Sequence, residues 1–281
     1  MKIKIKSRWK VLCIICVLLT FFYCENNWLG ISNYDLYYDN LSKSFDNYSI
    51  IHISDLHSKV FGEKNKILIE KIKKEKPNII VITGDIIDRR RYNDKPSIEF
   101  LKEAVKIAPV YFSTGNHEIW SGKFNELESN MKNIGVKVLR NENVKIDNGK
   151  EYIYLLGIDD PGVVHADEED EVLKENIRKA KNGVDKKNFT ILLSHRPERI
   201  NVYNDENINL VFSGHAHGGQ VRIPLIGAII APGQGLFPKY TSGAHKLKKG
   251  FIVISRGLGN SSIPQRIFNR PELVKVVLKA H

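Results

Sequence analysis

The chain has 281 residues, 42% hydrophobic and 27% charged, which is enough apolar material for one large domain with a substantial core and too much for a disordered protein. Its three cysteines, Cys13, Cys16 and Cys24, all precede residue 25, which excludes a disulfide framework or a thiolate metal site from everything downstream. The net charge of +11 resembles a nucleic-acid signal until Lys2, Lys4, Lys6, Arg8 and Lys10 are set apart; these five leave only a mild basic excess over the rest.

The first predicted element follows that basic stretch of residues 1–10. Residues 11–24, VLCIICVLLTFFYC, carry no charge. A helix of that length covers about 21 Å, short of the roughly 30 Å of hydrocarbon to be crossed, so the span borrows neighbours as far as Ile31, with Trp9 and Trp28 at its interfaces. A cleaved secretory signal has an apolar region of similar length, but Phe22 and Tyr23 stand where signal peptidase, or lipidation of Cys24, wants small residues. The segment 11–31 therefore reads as an uncleaved single-pass anchor. The positive flank places residues 1–10 in the cytoplasm and the main domain outside the cell membrane. Residues 32–47 read as a linker, and 48–281 as the catalytic domain.

From residue 48 onward, short β-branched apolar runs alternate with helical stretches. The runs 48–54, 78–83, 109–113, 152–158, 189–194, 208–213 and 250–255 read as buried strands; 64–76, 97–107, 121–134 and 167–181 read as helices. In the third helix Phe124, Leu127, Met131 and Ile134 recur at helical spacing and read as core. The alternation predicts an α/β domain, in which sites gather at the carboxyl ends of strands.

Those ends carry the polar residues. Asp55-Leu56-His57 follows the first strand, Gly84-Asp85-Ile86-Ile87-Asp88 the second, and Gly115-Asn116-His117-Glu118 the third. His195 heads the block His195-Arg196-Pro197-Glu198, and Gly214-His215-Ala216-His217 follows the next strand. Each block alone has an ordinary reading: a turn Asp, a helix-capping Asp, an Asn tolerating positive φ, or an exposed polar edge. Two imidazoles one residue apart in extended backbone point to the same side and can converge on neighbouring metals. With no thiolate downstream, a metal here takes His, Asp, Glu or Asn ligands, which suits zinc, manganese or iron.

The five blocks, in this order, resemble the calcineurin-like metallophosphoesterases, whose signature is D-x-H, G-D-x-x-D, G-N-H-[DE], H and G-H-x-H. The resemblance covers about residues 48–281, and the GHAHGGQ block, the Pro-containing stretch 223–239 and the tail 255–273 are similar to the membrane-anchored bacterial branch. It implies a four-layer αββα sandwich of two mixed β-sheets. It also implies two divalent metal ions, with Asp55, His57 and His217 on one, Asn116, His195 and His215 on the other, and Asp85 bridging. His117 is then the catalytic residue that acts on the phosphate, and Asp88 and Glu118 orient their neighbours. The activity implied is metal-dependent hydrolysis of a phosphodiester or pyrophosphate bond by a metal-activated hydroxide, on a phosphorylated small-molecule or lipid-linked substrate at the membrane. A nuclease or nucleotide phosphodiesterase is the alternative, and a catalytically silent scaffold a further one. No basic helix or aromatic stacking series marks a nucleic-acid partner. His52, His165, His245 and His281 lack motif context and read as exposed or core-edge residues, with His245 and Lys246 open to a substrate groove. Arg256 and Arg266 in the tail are substrate-contact candidates.

Overall fold

The structure is a computed structural model that describes residues 2–260 and 263–281, with side chains from Arg8 onward. In chain order its elements are α1 (Lys2–Asn27), β1 (Gly30–Tyr38), β2 (Tyr48–Ile53), α2 (Lys66–Glu75), β3 (Ile79–Thr83), α3 (Lys95–Ala104), β4 (Val110–Ser113), α4 (Asn116–Trp120), α5 (Phe124–Asn133) and β5 (Lys137–Val138). There follow β6 (Glu142–Asn148), β7 (Glu151–Gly157), α6 (Glu169–Ala180), β8 (Thr190–Leu193), α7 (Ile200–Asp205) and β9 (Leu210–Ser213). Two small hairpins, β10 (Arg222–Ile223) with β11 (Gly227–Ala228) and β12 (Ile230–Ala231) with β13 (Gly235–Leu236), precede β14 (Gly243–Lys246), β15 (Phe251–Ile254) and β16 (Glu272–Ala280).

Two six-stranded sheets form the core, one ordered β1-β16-β2-β3-β4-β5 and the other β14-β15-β9-β8-β7-β6. Strands β2 to β5 are mutually parallel, as are β7, β8, β9 and β15; the antiparallel pairings are β16 with β2, β14 with β15 and β6 with β7. Side chains alternate faces along each strand, so one run feeds two cores. In β2, Ile50 points between the sheets with Val81, Ile191 and Phe212, while Ile51 and Ile53 pack outward with Leu68, Ile72 and Phe100. On the far side Leu192, Val211 and Ile252 bury Leu173 and Ile177 of α6. The layers are helix, sheet, sheet, helix, as the resemblance implied. Burial on both faces is why the parallel strands read as unbroken apolar runs.

Three features differ from the sequence reading. Residues 30–38 do not link: Gly30–Tyr38 pairs in parallel with Glu272–Ala280 along its whole length, and Leu36 and Tyr38 are buried against the inter-sheet core. The apolar helix ends at Asn27 instead of Ile31, because Gly30 already belongs to that strand; its candidate span is Arg8–Asn27, twenty residues and about 30 Å. Lys2, Lys4 and Lys6 lie on α1, with side chains outside the described part. Finally, His52 is fully buried instead of peripheral. Its ring lies against Phe212 between the sheets and its Nε2 meets Thr83 Oγ1 at 2.8 Å.

Candidate metal centre

Strands β2, β3 and β4 of one sheet and β8 and β9 of the other end on the same side of the sandwich, and their following residues meet there. His195 Nδ1 reaches across from the second sheet to the Thr83 carbonyl at 2.6 Å, and the His215 backbone N–H donates to both oxygens of Asp55 at 3.2 and 3.1 Å. The approach is tight. A Cβ on Gly214 would collide with Ser54 and Asp55, and one on Gly84 with the Gly115 backbone, so glycine is required at both crossings. Asp55, His57, Asp85, His215 and His217 all adopt positive φ, between 48° and 63°. Non-glycine residues in that region store strain, and its concentration on one cluster marks a functional site.

The donor atoms fall into three overlapping groups, the middle one being His57, Asp85 and His117. Asp55, His57 and His217 form one, with His217 Nε2 3.2 Å from Asp55 Oδ1 and 3.1 Å from His57 Nε2. Asp85, His195 and His215 form another, with His195 Nε2 3.3 Å from Asp85 Oδ2 and 3.2 Å from His215 Nδ1. Asp85 Oδ2 is also 3.8 Å from His57 Nε2, so its carboxylate stands between the groups. Asn116 is buried at the start of α4 with its Oδ1 unpartnered, an orphaned acceptor that suits a cation.

Tautomers follow from the second nitrogens. His57 Nδ1 lies 3.2 Å from the Ile87 carbonyl and must donate there, which leaves its Nε2 lone pair facing the cluster; His195 Nδ1 donates likewise to the Thr83 carbonyl. Burial pushes His57 down to about 4 and His217 well below its ordinary value, so both rings are neutral at pH 7. Two neutral rings with facing nitrogens need a proton or a cation between them, and the donor set fits a cation. Burial opposes the ionisation of Asp85, yet the His195 imidazole outweighs it and holds the carboxyl well below the usual range. His195, against its own burial, is pushed up to about 10 by Asp85. Burial raises Asp55 to about 6.

His117 stands at the rim, its ring 4.4 Å from that of His57. Its backbone N–H donates to Asp85 Oδ1 at 2.8 Å, and its Nδ1 accepts from the Arg89 N–H at 3.1 Å. Asp88 Oδ1 lies 3.7 Å from Nδ1 and accepts the Arg90 N–H at 2.9 Å. Glu118 is fully buried, and its carboxylate is bonded to backbone amides. Its Oε2 accepts the N–H groups of Asp85 and Gly115 at 2.7 and 2.8 Å, and its Oε1 those of Ile86 and Ile87 at 2.9 and 3.3 Å. Burial and the Asp85 charge push its carboxyl up, but a protonated acid would set its O–H against one of these four donors, so we assign the carboxylate.

Other residues complete the surroundings. Glu198 is half-buried with neither carboxylate oxygen in a hydrogen bond, Oε1 standing 3.9 Å from Arg196 Nη1 and 4.0 Å from His215 Nε2; it sits in the block headed by His195, and that company was its only signal in the sequence. Asn269 Nδ2 donates to the carbonyls of His217 at 2.7 Å and Gln220 at 3.1 Å, a contact across 52 residues that no local pattern announces. Arg266, a substrate-contact candidate in the sequence, is instead fully buried: its guanidinium donates to the carbonyls of Arg256, Gly257, Gly259 and Asn269. Arg256 pairs with Glu272 at 2.9 Å. His245 lies on edge strand β14 beside Tyr240, outside the cluster. A cleft of about 350 Å³ opens beside the centre, lined by His57, Lys59, Asp88, Arg91 and Asn260 among others.

Residues 48–219 match the calcineurin-like phosphoesterase family. An uncharacterized metallophosphoesterase of Aquifex aeolicus is 31% identical over 274 residues, 94% of this chain and 98% of that one. The uncharacterized metallophosphoesterase YkuE of Bacillus subtilis is 30% identical over 264 residues, 92% of this chain and 88% of that one. At the level of fold, the crystal structure of TT1561 of Thermus thermophilus aligns with a TM-score of 0.51 at 12% identity, over 75% of this chain and 90% of that one.

Proposed function

The chain belongs to the calcineurin-like phosphoesterase family and is a phosphoesterase hydrolase, and on that premise we propose that it cleaves a phosphodiester or pyrophosphate bond of a membrane or cell-envelope substrate at a two-metal centre. In this reading Asp55, His57 and His217 hold one divalent ion, Asn116, His195 and His215 hold the other, and Asp85 holds both. The observation that carries it is the place of the Asp85 carboxylate, 3.8 Å from His57 Nε2 and 3.3 Å from His195 Nε2, with a triad on either side. Two divalent ions would supply a water acidified to near neutral pH and positive charge for the phosphoryl oxygens.

The protein's own groups do the rest. The Arg89 N–H occupies His117 Nδ1 and thereby leaves the ring proton on Nε2, where it can be given to a phosphoryl or departing oxygen. Glu118 fixes the Asp85 and Asn116 loops to each other through their amides. The apolar helix Arg8–Asn27 supports a single-pass anchor, which concentrates the enzyme where phosphorylated lipid-linked substrates lie; the basic flank supports an extracytoplasmic domain.

The test uses the full chain in detergent. It would be loaded in turn with zinc, manganese and iron, assayed for ions bound per chain, and presented with phosphomonoesters, phosphodiesters, nucleotides and nucleotide-sugar pyrophosphates. Two ions per chain with the highest turnover on diesters or pyrophosphates is expected. Retention of a single ion at full activity overturns the two-metal reading, and selective hydrolysis of nucleic acid moves the function to a nuclease.

A further inference from the structure

Beyond His217 the chain leaves the sandwich as the two small hairpins β10–β11 and β12–β13, which carry large exposed apolar side chains: Leu225 and Ile226 at the turn of the first, Leu236 on β13 and Phe237 just after it. Leu225 is 107% exposed, Leu236 69%, Phe237 67% and Ile226 66%. Such a concentration of exposed apolar side chains marks an interaction surface. The ribbon is firmly held: Arg222 Nη1 donates to the Gly218 carbonyl at 2.8 Å and to Thr241 Oγ1 at 3.1 Å.

Phe268 says what covers it. Its ring lines one shallow hollow with Leu225 and Ile226, and on its other side it packs against Phe21 of α1, with ring centroids 5.4 Å apart. Phe21 lies within the uncharged run 11–24, three residues before its end, which is about 4.5 Å along a helix axis. Whatever surrounds that end of the run surrounds Phe268 and the Leu225–Ile226 turn beside it. The attachment is rigid. The Asn269 N–H donates to Glu25 Oε2 at 2.8 Å, the Arg266 N–H to Asn26 Oδ1 at 2.8 Å, and Gln265 Nε2 to the Phe22 carbonyl at 3.1 Å. Arg270 stands 5.4 Å from the Trp28 ring, a cation and an aromatic at the level where headgroups lie.

We propose that the exposed apolar side chains of the two hairpins, together with Phe268, form a membrane-docking surface whose occupant is the interfacial layer of the bilayer that α1 crosses. The inference rests on α1 being a membrane span. It extends the functional reading by fixing the attitude of the enzyme: Lys59, which lines the cleft beside the metal centre, donates through Nζ to the Asn26 carbonyl, so the cleft opens at headgroup height. A phosphate carried by a membrane lipid meets the centre there without leaving the surface.

The test is site-directed spin labelling of the full chain with Cys13, Cys16 and Cys24 changed to Ser, reconstituted in phosphatidylcholine–phosphatidylglycerol vesicles. Single cysteines at Leu225, Phe237, Leu18 and Lys186 would be compared for collision with oxygen, which partitions into lipid, and with a water-soluble nickel chelate. Lys186 is exposed and precedes β8, at the strand end opposite His195. A several-fold higher oxygen-to-nickel ratio at Leu225, Phe237 and Leu18 than at Lys186 is expected. A lipid-like ratio at Leu18 with a water-like ratio at Leu225 and Phe237 overturns the docking alone; a water-like ratio at Leu18 removes the span and the docking with it. Shielding of Leu225 and Phe237 from both reagents means that protein covers these side chains and overturns the lipid assignment.

Discussion

Glu118 Oε2 accepts the backbone N–H of Asp85 at 2.7 Å, so a carboxylate on the short helix α4 holds the residue that stands between both halves of the centre, on the loop after β3. Three further amides converge on the same side chain. Glu118→Ala would leave these buried donors without acceptors, each lost bond costing about 1–3 kcal/mol. The variant should melt well below the parent and lose bound metal, as read by thermal denaturation and elemental analysis. Glu118→Gln, which puts an amide NH₂ against two of the donors, should recover little of either.

Asp85→Asn removes the one charge shared by the two groups. Activity should be abolished and bound metal should fall, because a neutral amide cannot offset two divalent cations. Elemental analysis of the purified variant is the measurement. Two ions per chain with normal turnover would contradict the bridging role.

His117→Ala should behave differently from the neighbouring histidines. Ala at His195, His215 or His217 should weaken metal binding, with partial rescue by excess metal. At His117 both ions should remain while turnover falls by a factor on the order of 10²–10⁴, the range for a lost general acid. The fall should be smallest for nitrophenyl esters, whose leaving group departs unprotonated, and largest for alkyl esters. Metal loss in proportion to activity would make His117 a ligand instead.

Arg196 is buried and paired with Asp160 through Nε to Oδ2 and Nη2 to Oδ1, both at 2.9 Å, with Glu169 on Nη1 at 3.1 Å. Removing one partner of such a pair strands a buried charge at a cost of about 3–5 kcal/mol. Asp160→Ala should therefore lower stability by roughly that amount in denaturant titration. Exposed Lys248→Ala, which loses only a surface pair with Asp205, should be near neutral.

The asymmetry of basic charge about the apolar helix predicts that the catalytic domain is outside the cytoplasmic membrane. Protease added to intact cells stripped of wall should digest it. Protection, under conditions where an external control protein is degraded, would reverse the topology.

The inner parallel strands were legible because burial on both faces leaves an unbroken apolar run, as in 78–83 and 208–213. The blocks after them were legible because each ends such a strand. Strand β1, outermost in its sheet, and its neighbour β16 were not. The strand Gly30–Tyr38 mixes Asn, Asp and Tyr, and Glu272–Ala280 alternates Val with Lys, so both lack the signal that two-sided burial writes. The surroundings of the site depend on contacts at long range. Asn269 on the His217 carbonyl and the buried guanidinium of Arg266 belong to a tail with no regular period, and their roles exist only once the two sheets have closed.

The parallel pairing of Gly30–Tyr38 with Glu272–Ala280 also decides where the polypeptide can be shortened for work in solution. A fragment beginning near residue 40 would strip the outer strand from β16 and expose Val274, Val276 and Leu278 beside a row of unpaired amides, an invitation to edge-to-edge aggregation. Beginning at Trp28 keeps the sheet whole but discards Glu25 and Asn26, whose side chains hold Asn269 and Arg266. A soluble form that retains both needs to start between Phe22 and Glu25, with Phe268 given a polar replacement for the ring it loses.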